Sequence, residues 1–154
     1  MSIREYNGDF DLLAHFLHKL QSHIVGLDNL KRCICPPQYG KLAARACLSN
    51  IRKNKGVILI AYDDEAPVGF IAGIISTPSK IENISMVPTK AGRIGELFVE
   101  EKHRGKKVGS SLMHAMEVYF RSNGCTIIRV EVFEQNLQAR SFYHKNDYCN
   151  RATD

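Results

Sequence analysis

Residues 103–112, HRGKKVGSSL, place basic side chains, two glycines and two serines directly before an apolar helical pattern. Arg104, Lys106 and Lys107 carry full positive charges, and Gly105 lets the backbone approach a ligand closely. The first turn of a helix has unpaired N–H groups that favour an anion. The stretch is therefore a phosphate cradle or a solvated basic loop, and its spacing alone does not decide between them. The nucleotide-binding fingerprints Gly-x-x-x-x-Gly-Lys-Ser/Thr and Gly-x-Gly-x-x-Gly are not present.

The elements around this stretch place it at one edge of a sheet. RIGELFV at 93–99 is typical of a strand, residues 108–122 have a helical apolar stripe, and 126–133 predict another strand. A strand, helix and strand in this order make the two strands parallel, with a right-handed crossover. Ligands of open α/β sheets bind beyond the carboxyl ends of the strands. The basic stretch follows the carboxyl end of strand 93–99, where a ligand would arrive.

The remaining residues predict a single α/β domain over 1–154. The pattern gives a strand at 2–7, helices from Phe10 and after Pro36-Pro37, a hairpin at 57–62 and 68–76, a loop at 77–92, and a helix at 137–146. The last residues, DYCNRATD, could begin one more strand. The element order is then β-α-α-β-β-β-α-β-α-β, which indicates a mixed sheet with helices.

Composition limits the classes of partner without choosing one. The formal net charge is +5, and a basic surface attracts nucleic acid, membranes or phosphorylated cofactors alike. No apolar run reaches the roughly 18 residues of a membrane span, and the N-terminus lacks the basic-then-apolar order of a signal peptide. No aromatic-interleaved basic stretch or zinc-finger spacing supports nucleic-acid binding. We expect a cytoplasmic protein that binds neither membrane nor nucleic acid.

The cysteines and histidines predict no metal site. The chain has five cysteines in scattered positions, which is typical of reduced thiols in a cytoplasm. Cys33 and Cys35, or His15 and His18, could each supply two ligands. Neither pair has a second Cys/His pair at zinc-site spacing.

The segment ELFVEEKHRGKKVGSSLM resembles the acetyl-coenzyme A-binding segment of the GNAT N-acetyltransferase superfamily. That family carries Arg/Gln-x-x-Gly-x-Gly/Ala at this turn, and the matching residues here are Arg104, Lys107 and Gly109. Lys107 stands where the family has its first glycine. This replacement could weaken the backbone approach or add a direct Lys-phosphate contact, and both readings stay open.

A second segment, EQNLQARSFYHKNDY, is similar to the family pattern Asn-x-x-Ala-x-x-Phe-Tyr-x-Lys-x-Gly-Phe. The matching residues are Asn136, Ala139, Phe142, Tyr143 and Lys145. Asp147-Tyr148 replaces the Gly-Phe of the family and could alter the turn after the last helix. The two motifs cover residues 93–148 in the right order.

The resemblance implies the GNAT-like acyl-CoA N-acyltransferase fold, with a splayed parallel pair at strands four and five. It implies acetyl transfer from acetyl-CoA to a primary amine by direct attack in a ternary complex. Leu97 would donate an N–H to the thioester oxyanion, Val99 would pair with the pantetheine arm, and Asn136 would bond that arm or cap the last helix. The residues implied to bind acetyl-CoA are Leu97, Phe98, Val99, Arg104, Gly105, Lys106, Lys107, Val108, Gly109, Ser110, Asn136 and Tyr143.

Two catalytic roles follow from the same resemblance, each beside a plainer alternative. Tyr143 would protonate the leaving thiolate, or it is a packed helix aromatic. Glu96 would accept the amine proton directly or through a water, with Glu131 as the second candidate; alternatively, both balance charge on a strand face. Alternation puts Ile94, Glu96 and Phe98 on one face, although a bulge would change that count.

The acceptor is not specified by any motif. A small amine, an aminoglycoside-like molecule, a polyamine and a protein amine all remain open. A different class, a non-catalytic acyl-CoA-binding or regulatory module of the same fold, is the alternative. Because similar proteins carry more strand sequence after the last helix, we expect a truncated chain or a partner, such as a second copy, that completes the sheet.

Overall fold

A computed structural model describes residues 1–151 and confirms the mixed α/β fold. The elements are β1 (Ser2–Glu5), α1 (Phe10–Leu27), α2 (Tyr39–Lys53), β2 (Val57–Asp63), β3 (Ala66–Ser76), α3 (Lys80–Ser85), β4 (Ala91–Val99), α4 (Val108–Ser122), β5 (Ile127–Val130) and α5 (Leu137–Lys145). A single 3-10 turn, Glu101–His103, lies between β4 and α4. None of these helices is long and apolar enough to cross a membrane.

The five strands form one sheet in the order β1-β2-β3-β4-β5. The first three pairings are antiparallel, and β4 pairs with β5 in parallel from Ala91↔Ile127 to Ile94↔Val130. The predicted crossover from β4 through α4 to β5 is therefore confirmed. β4 continues to Val99 while its pairing with β5 stops at Ile94, so the two strands part and leave a gap beside 95–99.

Helices cover both faces of the sheet and hold β4 between two apolar layers. On one face α4 packs against the sheet, and on the other α1 and α2 do so. The α4 layer includes Ile71, Ile94, Leu112, Met113, Met116 and Phe120. The other layer includes Leu13, Phe16, Ala44, Phe70 and Phe98. Each fully buried large side chain stabilises the fold by roughly 1.5–3 kcal/mol, so the end of β4 is rigidly placed.

A β-bulge in β4 changes which side chains share a face. Ala72 pairs with Glu96 and Gly73 with Ile94, so Gly95 is the extra residue. Ile94 packs in the α4 layer, whereas Phe98 packs in the α1/α2 layer. The expectation that Ile94, Glu96 and Phe98 share one face is wrong for Ile94, because the inserted residue shifts the alternation by one. Glu96 therefore faces α1 and α2.

The turn after α5 keeps its geometry although Asp147 replaces the family glycine. Asp147 has φ 68°, the left-handed conformation that Asp adopts more readily than most residues. Its N–H donates to the carbonyl of His144 at 3.1 Å, and that of Tyr148 donates to Tyr143 at 3.0 Å. This is the Schellman pattern of a helix C-terminus, so the substitution leaves the turn intact.

Three segments differ from the predicted elements, and the first is the strand predicted at 126–133, which covers only Ile127–Val130. The loop 77–92 contains α3, whose capping box joins Ser79 and Glu82; the Ser-x-x-Glu spacing was the sequence signal for it. The possible strand in DYCNRATD does not form within 147–151. Residues 152–154 lie outside the described residues.

Candidate active site

The open edge of β4 presents backbone polar groups to the gap beside β5. The N–H of Glu100 donates to the carbonyl of Val68 on β3 at 2.8 Å. Backbone groups along an antiparallel strand point alternately to either side, so those of Leu97 and Val99 point away from β3. The carbonyl of Val99 accepts a bond from Nε of Arg104 at 2.9 Å, which agrees with this direction. Phe98, between them, points its buried side chain toward α1.

The basic stretch forms the corner between β4 and α4. Gly105 has φ 75°, and Lys107, the N-cap of α4, has φ 65°. Lys107 therefore adopts the backbone conformation that glycine adopts most easily, and its side chain is exposed. No side chain in the described residues caps α4. The first-turn N–H groups of Val108, Gly109 and Ser110 thus lack helical partners beside exposed Lys106 and Lys107.

Gly109 allows α5 to lie against the start of α4. A Cβ built at Gly109 would lie 3.1 Å from Cε2 and 3.2 Å from Cζ of Phe142. Phe142 packs against the α4 layer, with its ring centroid 5.3 Å from that of Tyr143. The glycine of the first motif and the phenylalanine of the second thus meet directly, and this contact places Tyr143.

Glu96 is a mostly buried carboxyl beside the gap. Burial raises the pKa of Glu96 to about 7, against an ordinary value of 4.5. Within residues 1–151 its carboxylate has neither an ion pair nor a hydrogen bond, which explains why desolvation acts without compensation. A carboxyl with this pKa is half ionised near neutral pH and is suited to accept a proton.

Tyr143 is 8% exposed and lies in the α4 layer. Burial, and then the charge of Glu96, raise the pKa of Tyr143 to about 12. The phenol therefore stays protonated at neutral pH. Its hydroxyl has no hydrogen-bond partner in the described part of the chain, so it is available to a ligand. Tyr143 is thus the packed aromatic of its plainer reading, while its role as the acid for the thiolate stays a prediction.

Asn136 and Glu131 have partners within the chain. Asn136 caps α5 by accepting a bond from the N–H of Ala139 at 3.1 Å, which is the plainer of its two predicted roles. Glu131 has an 84% exposed side chain, and its carboxylate lies 2.6 Å from Nη2 of Arg93. Glu131 thus pairs with a cation at the surface, whereas Glu96 has no ion pair within residues 1–151; which of the two is the base stays a prediction.

Two residues of α2 near Glu96 were not predicted as part of the site. The charge of Glu96 contributes to the raised pKa values of Tyr39 and Cys47, after burial in each case. In the sequence both belong to the apolar stripe of α2, which predicts that they are core residues. Only the bulge at Gly95 turns Glu96 toward them.

A groove of about 240 Å³ runs along the same face of the sheet beside α2. It lies between α2 and strands β3 and β4, with Ala72, the pairing partner of Glu96, at its wall. Its lining residues are Asn50, Ile51, Ala72, Gly73, Ile74, Arg93 and Gly95. Glu96 does not itself line the groove, but its chain neighbour Gly95 does, on the side of the sheet opposite α4.

The thiols and imidazoles do not form a metal centre in the part of the chain that the structure describes. All five cysteines are free. Cys35 Sγ lies 3.6 Å from Nδ1 of His18, but no group of three or more His, Cys, Asp or Glu there is arranged to hold a metal.

Comparison with solved structures places this fold among known proteins. A mutant of the BH1408 protein from Bacillus halodurans aligns with TM-score 0.81 and 21% identity, over 100% of this chain and 97% of that one. A transcriptional regulator from Bacillus halodurans C-125 aligns with TM-score 0.73 and 20% identity, over 99% and 95%. Glucosamine-6-phosphate N-acetyltransferase from Arabidopsis thaliana aligns with TM-score 0.69 and 16% identity, over 99% and 94%. At these identities the likeness shows the fold.

Sequence comparison gives the family. No curated protein matches the chain. The model of the Acetyltransferase (GNAT) family matches residues 24–148, a span that includes the β4 edge, the basic corner, Glu96 and Tyr143. The chain therefore belongs to the GNAT acetyltransferase family.

Proposed function

We propose that this protein transfers an acetyl group from acetyl-CoA to a primary amine. One observation carries the proposal: the open edge of β4 joins an uncapped helix N-terminus on one side and a mostly buried, unpaired Glu96 on the other. A phosphorylated donor and an amine can therefore reach the same gap from opposite faces of the sheet. Family membership supports the reaction type.

The chain's own groups fit the two ends of acetyl-CoA. The N–H groups of 108–110, with Arg104, Lys106 and Lys107, would hold the pyrophosphate, because a helix N-terminus and fixed cations both stabilise an anion. Val99 would continue the sheet by bonding the pantetheine amides. The N–H of Leu97 would donate to the thioester oxygen, where negative charge develops in the transition state.

Glu96 supplies the base that the reaction requires. An alkylamine is mostly protonated at neutral pH and must lose a proton before it can attack. Glu96, with its pKa of about 7, accepts that proton directly or through a water. The amine nitrogen then bonds to the acetyl carbon, and the carbon–sulfur bond breaks with its electron pair going to sulfur.

Tyr143 acts on the departing sulfur. Its hydroxyl stays protonated because burial raises its pKa to about 12. It therefore gives its proton to the developing thiolate, which leaves as a thiol, and Tyr143 is reprotonated by the second proton, which the nitrogen loses as it becomes an amide. The net products are the N-acetylated amine, coenzyme A and one proton.

Thiol release from acetyl-CoA with a panel of amines, corrected for hydrolysis, tests the proposal. Isothermal titration of coenzyme A measures the donor site separately. The expected result is binding in the micromolar range and amine-dependent thiol release. Absence of binding at millimolar coenzyme A would rule out the proposal.

A non-catalytic acyl-CoA-binding module of the same fold is the second candidate, since one structural neighbour bears the name of a transcriptional regulator. Binding of coenzyme A without turnover of any amine would favour it. Turnover that depends on Glu96 would exclude it.

A further inference from the structure

Two arginines stand side by side on the face of the sheet that carries the groove. Arg93 of β4 and Arg129 of β5 are direct partners in the parallel register. Their strand neighbours Ile94, Ile128 and Val130 pack in the α4 layer. By alternation, both arginines therefore point to the opposite face, and Arg93 lines the groove.

Neighbouring like charges on adjacent strands repel, so this pair needs compensation. Within residues 1–151 the one ion pair of Arg93 is with Glu131, where the side chains are 50% and 84% exposed, and such exposed pairs stabilise little. Nε of Arg129 is buried without a hydrogen-bond partner among residues 1–151. Hydrogen bonds from Ser79, and to a lesser extent the charge of Arg129, hold the pKa of Glu82 on α3 below its usual range, but no hydrogen bond or ion pair joins Glu82 to Arg129 within residues 1–151. An unpaired buried donor beside a second cation is explained if a ligand supplies the acceptor.

The position of the pair relative to Glu96 sets the size of that ligand. Arg93 lies three positions before Glu96 on β4, and one of the two residues between them is the bulge at Gly95. At about 3.3 Å per residue the separation is roughly 7–10 Å. Arg93 and Ala72, the pairing partner of Glu96, line the same groove. One molecule could therefore reach both ends.

We propose that the acceptor is a primary amine that also carries an anionic group, a phosphate or carboxylate, which Arg93 and Arg129 bind while the amine lies at Glu96. This specificity rests on the proposed acetyl transfer and extends it to the acceptor. Arginine binds both anions through two parallel hydrogen bonds, so the structure selects the charge and its distance from the amine.

Matched linear amines test the charge and the distance. The series comprises 2-aminoethyl, 4-aminobutyl and 6-aminohexyl phosphate, each beside the amino alcohol of the same length, with 6-aminohexanoate as the carboxylate arm. We expect kcat/KM for the longer phosphates to exceed that of their alcohols by about 10- to 100-fold, the range of a charge-assisted hydrogen bond. The anion that gives the higher kcat/KM identifies the class.

Four variants separate recognition from fold. Arg129→Gln and Arg93→Gln should each remove most of the preference for phosphate over alcohol. Arg121→Gln removes the same charge from α4, on the other face of the sheet, and should leave the preference unchanged. Glu131→Gln frees Arg93 and should lower KM for 6-aminohexyl phosphate about two- to fivefold.

The same probes give a binding readout that does not depend on turnover. Isothermal titration of 6-aminohexyl phosphate and 6-aminohexanol is done with coenzyme A saturating, which fills the basic corner. The anion site is supported if the phosphate binds more tightly than the alcohol and if Arg129→Gln removes this difference. That result would stand even if no amine is acetylated and the acetyl-transfer proposal fails. Equal binding of the two probes, or equal loss of both in Arg129→Gln, overturns the anion site and leaves acetyl transfer standing if amines turn over. If coenzyme A does not bind, the comparison is made on the unliganded protein with Arg104→Gln, which weakens the competing corner.

Discussion

The charge of Glu96 acts on the hydroxyl of Tyr143 and is second only to burial in raising the pKa of that hydroxyl to about 12. The two residues come from different faces of the sheet, Glu96 from the α1/α2 side and Tyr143 from the α4 layer. They are coupled because β4 and β5 separate beyond Ile94. The gap thus brings a carboxyl poised to ionise close to a phenol that stays protonated.

Tyr143→Phe should lower kcat about 100-fold or more, since general acid catalysis typically contributes 10²- to 10⁴-fold. Affinity for coenzyme A and the free energy of unfolding should change little, because the hydroxyl has no partner in the described part of the chain and the ring remains. Steady-state kinetics, isothermal titration and urea denaturation measure the three quantities. A loss of coenzyme A affinity as large as the loss of kcat would instead assign Tyr143 to binding.

Glu96 should set the pH dependence of the reaction. We expect kcat/KM to rise with pH and level off above an apparent pKa near 7, the value of the Glu96 carboxyl. An acceptor amine with a pKa below about 5 keeps amine protonation out of this range, and Glu96 then accepts the proton that the neutral nitrogen loses as it attacks. Glu96→Gln should remove the inflection and lower the plateau about 100-fold. An unchanged inflection in the variant would mean that another group titrates.

Glu96 should also make the protein less stable as pH rises. The folded-state pKa of about 7 exceeds the ordinary value of 4.5, so the folded chain holds more protons between these values. The contribution of Glu96 to the unfolding free energy is then greatest below pH 4.5. It falls as pH rises to about 7, by at most on the order of 3 kcal/mol. Relative to the wild type, Glu96→Gln should gain about 1–3 kcal/mol in unfolding free energy between pH 5 and pH 8. Urea denaturation at both pH values measures this difference, and a constant difference would contradict the assignment.

The sequence was sufficient for the elements that local patterns encode. The apolar stripe of 108–122, the strand at 93–99 and the two motifs predicted the crossover, the basic corner and Tyr143 beside the gap. A bulge in this strand could be considered from the sequence, but its position at Gly95 could not, because one inserted residue leaves no periodic signal. The side chain of Glu96 points toward α1 and α2, and lies near Tyr39 and Cys47, because of that bulge.

The pairing of Arg93 with Arg129 was equally hidden. The two residues are far apart in the chain and meet only through the parallel register of β4 and β5. Taken alone, each arginine is a charged residue on a strand, and such residues usually face solvent. The parallel register brings the two arginines together. Because α4 covers the other face, both side chains point to the face that carries the groove.

Gly109→Ala should disturb the contact that places Tyr143. The new methyl group would lie 3.1 Å from the ring of Phe142, so α5 must shift by a few tenths of an ångström. We expect a loss of about 1 kcal/mol or more in stability, as for other overpacked sites, and a lower kcat. Gly26→Ala in α1 is the matched control, because nothing lies within 4 Å of its new methyl group. That variant should be neutral or slightly stabilising; equal losses in both variants would show that the Phe142 contact has no special role.

Two variants of Lys107 separate the effect of its side-chain charge on coenzyme A binding from the effect of its backbone conformation. Lys107→Gly keeps the left-handed turn, which Lys107 adopts with φ 65°, and removes the charge; Lys107→Gln removes only the charge. Because the backbone of Lys107 already adopts a glycine conformation, we expect both variants to bind coenzyme A about three- to tenfold more weakly at low salt. The exposed charge acts through screened electrostatics, so this loss should disappear near 1 M salt, where the screening length is about 3 Å.

Lys106→Gln, at an exposed neighbour of the same corner, is the control for charge alone and should behave in the same way. Lys107→Gly should unfold at equal or higher urea concentration than Lys107→Gln, since glycine removes a left-handed cost of about 1 kcal/mol. Coenzyme A titrations at two salt concentrations measure the effect. A loss of affinity that persists at high salt in Lys107→Gln would mean that the ammonium group binds phosphate directly in a desolvated contact.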